Sequence, residues 1–248
     1  MAKTSDNRRL AEWGGVTTPA LDADQFIKSM EALATAENLK KYEGFFPPDK
    51  RNGDVFIGVR MGDTFALAKK FKDLSLAEVE KLLESPVHEV RVGAVSIMDF
   101  KVRDSKASES LKKDVYDLYL RRHDRINYWD LVDRSAINVI GAYLRDKPRD
   151  VLYKLAKSKN MWERRTAIVA TIALGDSADT FKIAELLIEE KEDLIQKATG
   201  WALRSAGGPR LVDFLDKNAA TLPRVTLRYA IEKFDKDTRA KYLKAKAR

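Results

Sequence analysis

The sequence of 248 residues contains no cysteine and only two histidines, His88 and His123. Disulfide bonds and zinc sites built on thiolates are therefore excluded, and few ligands remain for any other metal centre. We expect neither a metal nor another cofactor. Any chemistry must use carboxylates, basic side chains and aromatic rings.

Long apolar runs are missing as well. No segment approaches the roughly 20 apolar residues that cross a bilayer, and the N-terminal segment MAKTSDNRRLAEWGG lacks the apolar core of a secretion signal. We expect a cytoplasmic protein without a membrane partner, in which residues 1–20 form a mobile or packed N-terminal arm. A short amphipathic membrane anchor at Arg8, Arg9, Leu10 and Trp13 is the alternative, although one aromatic ring provides little apolar area.

Acidic residues are too few to balance the basic ones. The formal net charge is +8, and residues 221–248 hold nine Lys and Arg against three acidic residues. The phosphate backbone of a nucleic acid is the natural partner for such a surplus. A solvated C-terminal helix is the alternative that charge alone leaves open.

Helical periodicity dominates from about residue 21 onward, with apolar side chains recurring every three or four residues, as at Phe26 and Met30. Ser75 and Glu78 have the spacing of a helix-capping box. Prolines punctuate the pattern at Pro86, Pro148, Pro209 and Pro223. These signals divide the chain into helices of roughly 10 to 18 residues, and no segment alternates as a strand does.

A repeat becomes visible when segments are aligned on a small residue. The aligned residues Ala94, Ala136, Ala167, Ala198 and Ala230 lie 42, 31, 31 and 32 residues apart. Stacked two-helix units produce such spacing, because one helical pair cannot bury its apolar stripe alone. The sequence predicts an all-α fold, in which residues 21–248 form a single HEAT-like helical-repeat solenoid, an α-α superhelix with a concave groove. A non-repetitive helical bundle is the alternative.

Equivalent positions in successive repeats of a solenoid line one groove. Three residues before the aligned alanines stand Arg91, Asp133, Arg164, Ile195 and Leu227, and two before them stand Val92, Arg134, Arg165, Gln196 and Arg228. Asp133 is the one acid among several bases, and Trp129 precedes it by four residues on the same helical face. An exposed aspartate beside a core tryptophan is the common alternative for this spacing.

Several sequence blocks follow one another in a distinctive order. They are Tyr42 with Phe45 and Phe46, then GDVFIGVR (53–60), SPVHEVR (85–91), YWDLVD (128–133), WERRTA (162–167) and QKATGWALR (196–204). Together they resemble the AlkD-like family of DNA alkylation repair glycosylases, a group of HEAT-like repeat DNA glycosylases, over about residues 28 to 235. The ordered set is far more specific than any one block.

The resemblance implies that the concave face grips double-stranded DNA and that the protein releases N3- or N7-alkylated purines, such as 3-methyladenine and 7-methylguanine, without metal, cofactor or obligatory protein partner. By motif, Asp133 corresponds to the family's catalytic carboxylate, and Trp129 and Trp201 correspond to its two groove tryptophans. Arg165 corresponds to a phosphate-contacting arginine and Tyr42 to an aromatic residue near the lesion. Further DNA contacts are expected at Arg91, Arg164, Arg204 and Arg228. The chain departs from the family in having Ser205 and Ala206 where an acidic and aromatic pair often stands.

The chemistry of the lesion suits these assignments. An alkylated purine that already carries a positive charge is a good leaving group, so the enzyme must chiefly stabilise the charge that develops on the sugar. Asp133 could do so and orient the attacking water, while Trp129 and Trp201 could contribute cation–π attraction of about 0.5 to 2 kcal/mol each. Alternatively, the tryptophans are core residues between repeats, and Asp133 forms a structural pair with Arg165 or Arg134.

Two other classes of function stay open at this point. One is a non-catalytic relative that binds branched or damaged DNA in the same groove, and the other is a HEAT-type scaffold for protein partners. Asp133 argues against the non-catalytic DNA binder, because a carboxylate that faces phosphate lowers affinity. From the resemblance we expect monofunctional glycosylase activity in base excision repair.

Overall fold

The computed structural model describes residues 21–42, 44, 46, 53–175 and 177–245. Within them the chain forms fourteen α-helices and no β-strand, which confirms the predicted all-α class. The helices are α1 (Ala23–Glu31), α2 (Ala36–Tyr42), α3 (Met61–Lys70), α4 (Leu76–Leu83), α5 (His88–Arg103), α6 (Glu109–Arg121), α7 (Trp129–Ala136), α8 (Asp150–Ala156), α9 (Met161–Ala170), α10 (Ala178–Leu186), α11 (Asp193–Ala206), α12 (Gly208–Asn218), α13 (Arg224–Ala230) and α14 (Lys236–Leu243). The predicted N-terminal arm, residues 1–20, lies outside the described residues. None of the described helices has the length and apolar character needed to cross a membrane.

The repeat predicted from the small residues is present as alternating helices. The aligned alanines lie on α5, α7, α9, α11 and α13, and each of them is at most 1% exposed. These five helices, called the inner helices below, pack side by side in chain order. Helices α4, α8 and α10 each pack against the inner helix that follows them in the chain. A small buried residue recurs because each inner helix must approach its neighbours closely. The two-layer helical repeat is therefore the architecture of the chain.

Two glycines show how close this approach is. A Cβ atom at Gly141 would collide with the backbone carbonyl of Ala170, which ends α9. A Cβ atom at Gly200 on α11 would collide with the carbonyl of Thr226 on α13. Backbone cannot yield as a flexible side chain does, so these positions require glycine.

The start of α4 follows the sequence signal, with one difference in the partner of the Glu78 carboxylate. Ser75 caps α4, and its Oγ accepts the N–H of Glu78 at 3.2 Å, as the spacing predicts. The Glu78 carboxylate accepts the N–H of Ala23 at 2.8 Å and so ties α1 to α4. The pair therefore serves a tertiary contact as well as the cap.

Some α-helices are shorter than the predicted minimum length, since three of the described helices have seven residues. In the inner row, two helices change their hydrogen-bond pattern before they end. Helix α7 passes into a π-helical turn at Ile137–Ala142, and α9 passes into a 3₁₀ turn at Thr171–Leu174. The π turn adds a residue to the helical ring and directly follows the helix that carries Asp133.

Candidate functional site

Helix α7 presents Trp129 and Asp133 one turn apart. It begins at Trp129, directly after Tyr128, whose backbone is extended at φ −149° and ψ 160°. The buried residues of α7 are Asp130, Leu131, Val132, Ser135 and Ala136. Trp129 and Asp133 lie only partly buried on the other side of this helix, in agreement with the predicted shared face.

Tyr128 precedes α7 as Asp22, the N-cap of α1 with φ −134° and ψ 171°, precedes its helix. Both residues are extended, which is the usual conformation just before a helix. Asp22 caps its helix with a side-chain oxygen that accepts the N–H of Gln25 at 2.8 Å. The start of α7 is instead held by tertiary contacts of the residues around Tyr128.

The Asp133 carboxylate is bound by Arg165 of the neighbouring helix α9. Arg165 Nε donates to Oδ1 at 2.9 Å, and Nη2 donates to Oδ2 at 2.7 Å. Arg165 Nη1 donates to the carbonyl of Leu194 on α11. A two-point guanidinium–carboxylate pair fixes the orientation of both groups. The Arg165 side chain is 6% exposed, whereas that of Asp133 is 22% exposed, so the carboxylate is the partner that solvent or a ligand can reach.

Burial and the ion pair act on Asp133 in opposite directions. Burial raises the pKa of the Asp133 carboxyl above its usual value, and the Arg165 guanidinium opposes that rise. A carboxylate that has lost part of its hydration interacts more strongly with a nearby positive charge than a solvated one does. Asp133 is therefore suited to stabilise a cation that forms next to it.

The structural pairing of Asp133 that the sequence left open is thus with Arg165. Arg134 binds elsewhere, because its Nε donates to Ser96 at 3.0 Å and its Nη1 contacts Asp99 at 2.8 Å, both on α5. Its guanidinium also lies 4.6 Å from the ring centroid of Phe65. The neighbouring inner helices α5, α7 and α9 are therefore linked by successive ion pairs.

Trp129 lies against a cluster of aromatic rings. Its indole stacks on Phe46, with 6.0 Å between the ring centroids and 9° between the planes. Phe46 also contacts Tyr42, Phe56 and Tyr128 at centroid distances of 5.7, 4.8 and 5.1 Å. Trp129 is only partly buried, so one part of the indole packs on protein and another part faces solvent.

Tyr42 belongs to this cluster as a packed residue. Its hydroxyl donates a hydrogen bond to the carbonyl of Val59, and its ring meets those of Phe46 and Phe56 edge to face. Burial raises the pKa of Tyr42 to about 12. The phenol is therefore neutral. It contacts Phe46, which in turn stacks on Trp129. Its predicted position near a lesion stays a prediction.

Trp201 lies two inner helices away from Trp129. It is carried by α11, which packs against α9, and α9 in turn packs against α7. The Trp201 ring is partly buried against the core. Helices α7 and α11, which carry the two tryptophans, thus both pack against the helix that carries Arg165, while the predicted shared groove stays a prediction. Trp162, in contrast, is 9% exposed and packs on Tyr128 in the core.

The predicted DNA-contacting arginines divide into buried, paired and exposed side chains. Arg91 is 0% exposed, and its guanidinium binds Asp54, the carbonyl of Ser85 and Asn127. Its prediction as a phosphate contact is wrong, because the guanidinium is buried and bound within the protein. The side chain stabilises the fold instead.

The other three arginines lie nearer to solvent. Arg164 contacts Glu190 at 2.6 Å, and Arg204 forms an ion pair with Glu232. Arg228 is exposed. Contact with a phosphate would require Arg164 and Arg204 to exchange or share their carboxylate partners, whereas Arg228 can reach a ligand directly. Arg165 is buried and bound to Asp133 and to the carbonyl of Leu194, so its predicted phosphate contact stays a prediction.

One buried charge cluster was not predicted from the sequence. His88 is 1% exposed, and its Nε2 lies 3.1 and 2.9 Å from the two carboxylate oxygens of Asp130. Its Nδ1 lies 3.3 Å from Asp54, which also binds Arg91. His88 and Asp130 both stand in the motif blocks quoted above, and Asp130 directly follows Trp129, but nothing in the spacing indicates that they meet.

Both ring nitrogens of His88 face carboxylates, so both can donate only when the imidazole is protonated. Burial alone lowers the pKa of His88, but Asp130 and Asp54 outweigh it and raise the pKa to about 9. The cluster is thus a buried imidazolium between two carboxylates. Neither this cluster nor any other group of three or more His, Cys, Asp or Glu in the described part of the chain is arranged to hold a metal ion.

Comparisons with known proteins agree with this architecture. A family model described as "DNA alkylation repair enzyme" matches residues 26–234. A solved structure described as a predicted DNA alkylation repair enzyme from Enterococcus faecalis is similar, with a TM-score of 0.63 and 18% sequence identity over 82% of this chain and 97% of that chain. At this identity the likeness shows the fold. No curated protein matches the chain.

Proposed function

Because the chain belongs to the family of DNA alkylation repair enzymes, we propose that it is a monofunctional DNA glycosylase that hydrolyses the N-glycosidic bond of N3- or N7-alkylated purines in duplex DNA. The observation that carries the proposal is the partly exposed Asp133 carboxylate, which Arg165 orients by two hydrogen bonds. Asp133 lies one helical turn from Trp129 on α7. Fold and family support a role in DNA repair, and the geometry around Asp133 supports this particular reaction.

The reaction breaks the bond between C1′ of the sugar and the purine nitrogen. The bonding electron pair moves to the purine, which neutralises the positive charge that alkylation placed on the ring. Positive charge then develops on the sugar, the oxygen of a water molecule forms the new bond to C1′, and one proton of that water is released to the solvent. Asp133 stabilises the sugar cation and accepts a hydrogen bond from the water, which orients it for attack. The products are the free base and an abasic site.

Arg165 and the tryptophans assist without exchanging protons. Arg165 keeps both Asp133 oxygens in a fixed orientation, so little reorganisation is needed when the charge develops. The solvent-facing parts of Trp129 and Trp201 exclude water and attract the cationic nucleotide through their ring faces. Arg228 and the basic C-terminal segment bind the phosphate backbone, and the net charge of +8 favours association with DNA.

The proposed partner is double-stranded DNA with alkylated bases, and we propose a cytoplasmic location in which the protein can reach such DNA. We also propose that residues 21–248 form one repeat domain, since the inner helices pack continuously from α5 to α13.

The competing functions are a non-catalytic DNA binder and a protein scaffold. The oriented carboxylate at Asp133 favours the enzyme over both, because neither competitor needs a fixed anion at a DNA-facing surface.

Release of free 7-methylguanine from a duplex oligonucleotide tests the proposal. We expect release by the wild-type protein and a rate about 10²–10³-fold lower for Asp133→Asn, the usual effect of removing one group that stabilises transition-state charge. Asp213→Asn is the matched control, because Asp213 is exposed on α12, and it should retain the wild-type rate.

The same experiment separates the competing functions. Full activity in Asp133→Asn would exclude Asp133 as the catalytic residue. Absence of release from both N3- and N7-alkylated duplexes, together with duplex binding that weakens steeply with salt, would indicate the non-catalytic DNA binder. A scaffold would show neither base release nor such salt-dependent binding.

A further inference from the structure

The charge cluster around His88 links three parts of the chain. Asp54 precedes the segment that leads to α3, His88 begins α5, and Asp130 lies in the first turn of α7. His88 contacts both carboxylates, at 3.3 Å for Asp54 and 2.9 Å for the nearer oxygen of Asp130. Since all three side chains are at most 9% exposed, the contacts are shielded from solvent and from salt.

Other charged and polar groups surround the imidazole from every packed element. Arg91 of α5 binds Asp54 and Asn127, and Arg125 lies in the turn before α7. Glu89 of α5 accepts the N–H of Gly58 at 2.8 Å, and Tyr42 of α2 lines the same small cavity as His88 and Asp130. Glu89 is thus satisfied by backbone donors, and the charge of Arg91 is paired with Asp54. Asp130 depends on His88 for its charged partner.

The cluster is also in contact with the proposed catalytic helix through aromatic rings. The His88 ring lies 5.1 Å from Phe46, and Phe46 stacks on Trp129. Asp130 is the residue between Trp129 and Leu131, and its Oδ1 accepts the N–H of Leu131 at 3.0 Å. A change at His88 is therefore transmitted both to the backbone of the first turn of α7 and to the ring that supports the Trp129 indole.

We propose that His88, in its protonated form, is a positioning residue that holds the start of α7 so that Trp129 and Asp133 keep their orientation toward the damaged nucleotide. The inference rests on the proposed glycosylase function. The imidazolium joins Asp130 to Asp54, and the N-terminal turn of α7 is fixed to the start of α5 by this bridge. His88 touches no reacting atom and acts through Trp129 and Asp133.

Loss of the His88 proton removes one of the two donors and leaves two carboxylates facing a neutral ring. Asp130 and Asp54 then repel each other without a cation between them, and the turn that carries Trp129 shifts. A purely structural bridge would affect stability alone. A positioning bridge makes the environment of Trp129 and the rate of base release depend on the same titration.

The first experiment observes Trp129 directly in the wild-type protein. The tryptophans are replaced by 5-fluorotryptophan, the ¹⁹F resonance of Trp129 is assigned with Trp129→Phe, and a titration is recorded from about pH 7 to about pH 10. We expect the Trp129 resonance to move with a midpoint near pH 9, the value to which the carboxylates raise the pKa of His88. The Trp201 resonance, which belongs to α11, serves as the internal control and should stay constant. A Trp129 resonance that does not move in this range overturns the inference, whatever the activity of the protein.

The second experiment compares base release by the wild type and His88→Arg on the same duplex. Arginine keeps its charge over this range, and the ratio of the two rates cancels the titration of the substrate itself. We expect the ratio of wild type to His88→Arg to fall about tenfold between about pH 8 and about pH 10, as the protonated fraction does. A constant ratio overturns the inference. If His88→Arg does not fold, the ¹⁹F titration of the wild type decides alone.

His88→Gln completes the test, because glutamine retains an N–H donor for Asp130 but carries no charge. We expect its base release at neutral pH to be about tenfold slower than that of the wild type, with an unchanged affinity for undamaged duplex. A wild-type rate in His88→Gln overturns the positioning role. Failure of the wild type to release any alkylated base refutes the proposed function and the catalytic part of this inference together. The ¹⁹F titration needs no activity, so it shows separately whether the His88 bridge positions Trp129.

Discussion

Asp133 and Arg165 form a two-point pair across the interface of α7 and α9, with 2.9 Å from Nε to Oδ1 and 2.7 Å from Nη2 to Oδ2. The arginine is nearly buried, whereas the carboxylate keeps 22% of its side-chain surface. This asymmetry has a chemical consequence. The buried partner fixes the orientation and the exposed partner meets the ligand, so the pair can act as an oriented anion as well as a link between repeats.

Arg165→Lys tests whether the orientation of Asp133 matters beyond the charge that faces it. Lysine keeps the positive charge but cannot donate two parallel hydrogen bonds to one carboxylate. We expect base release to slow by about 10- to 100-fold, since a misplaced catalytic group loses much of its effect. Single-turnover kinetics on the alkylated duplex measure the rate.

The double variant Asp133→Asn with Arg165→Lys serves as the control for that prediction. If Arg165 acts through Asp133, the second substitution adds little to the loss caused by the first, because coupled residues are not additive. Additive losses would show instead that Arg165 acts on the DNA independently. An undiminished rate in Arg165→Lys would remove the orienting role altogether.

Gly141→Ala tests the close packing of the inner helices. The new Cβ atom would meet the carbonyl of Ala170, so the π-helical turn and the end of α9 must move apart. Overpacking of this kind costs about 1–3 kcal/mol of unfolding free energy. Urea unfolding followed by circular dichroism measures the difference from the wild type.

Gly62→Ala provides the matched control, because a Cβ atom at Gly62 in α3 meets nothing within 4 Å. Alanine favours the helical conformation over glycine, so this variant should gain up to about 1 kcal/mol. Equal effects of the two substitutions would contradict the packing argument, since helix propensity alone would then account for both.

His123 gives the stability of the protein a dependence on acid pH. Burial lowers the pKa of His123, its Nε2 lies 2.9 Å from Thr166 Oγ1, and within the described chain its Nδ1 has no hydrogen-bond partner. The folded state therefore favours the neutral ring, whereas the unfolded state takes up a proton near its ordinary pKa of about 6.5. The stabilising contribution is present above that pH and is lost as the pH falls toward the lowered folded pKa.

We expect the unfolding free energy to fall with decreasing pH below about 6.5, with a contribution from His123 of up to about 1.4 kcal/mol per pH unit. His123→Gln should reduce this slope, because glutamine cannot take up the proton. Urea unfolding at several pH values measures both proteins, and the carboxylates common to them cancel in the difference. Identical slopes for the two proteins would show that His123 is not responsible.

The repeat architecture could be predicted from the sequence because local and periodic features indicate it. Small residues at regular spacing, apolar residues every three or four positions and punctuating prolines all act within one helical pair or between neighbours. The same alignment placed Asp133 and Arg165 at adjacent positions of successive repeats, and the structure joins them by hydrogen bonds. It was wrong for Arg91, whose position in the alignment resembles that of Arg164 but whose guanidinium is fully buried.

The sequence by itself determined the all-α class, the period of the repeat and the family to which the chain belongs, because these depend on patterns that each helical pair repeats. Only the tertiary structure decided that His88 lies between Asp54 and Asp130 and that Phe46 supports Trp129. Those contacts join residues that are 34, 42 and 83 positions apart and that follow no common period. Their formation depends on how whole helices pack, so no local pattern could have indicated them.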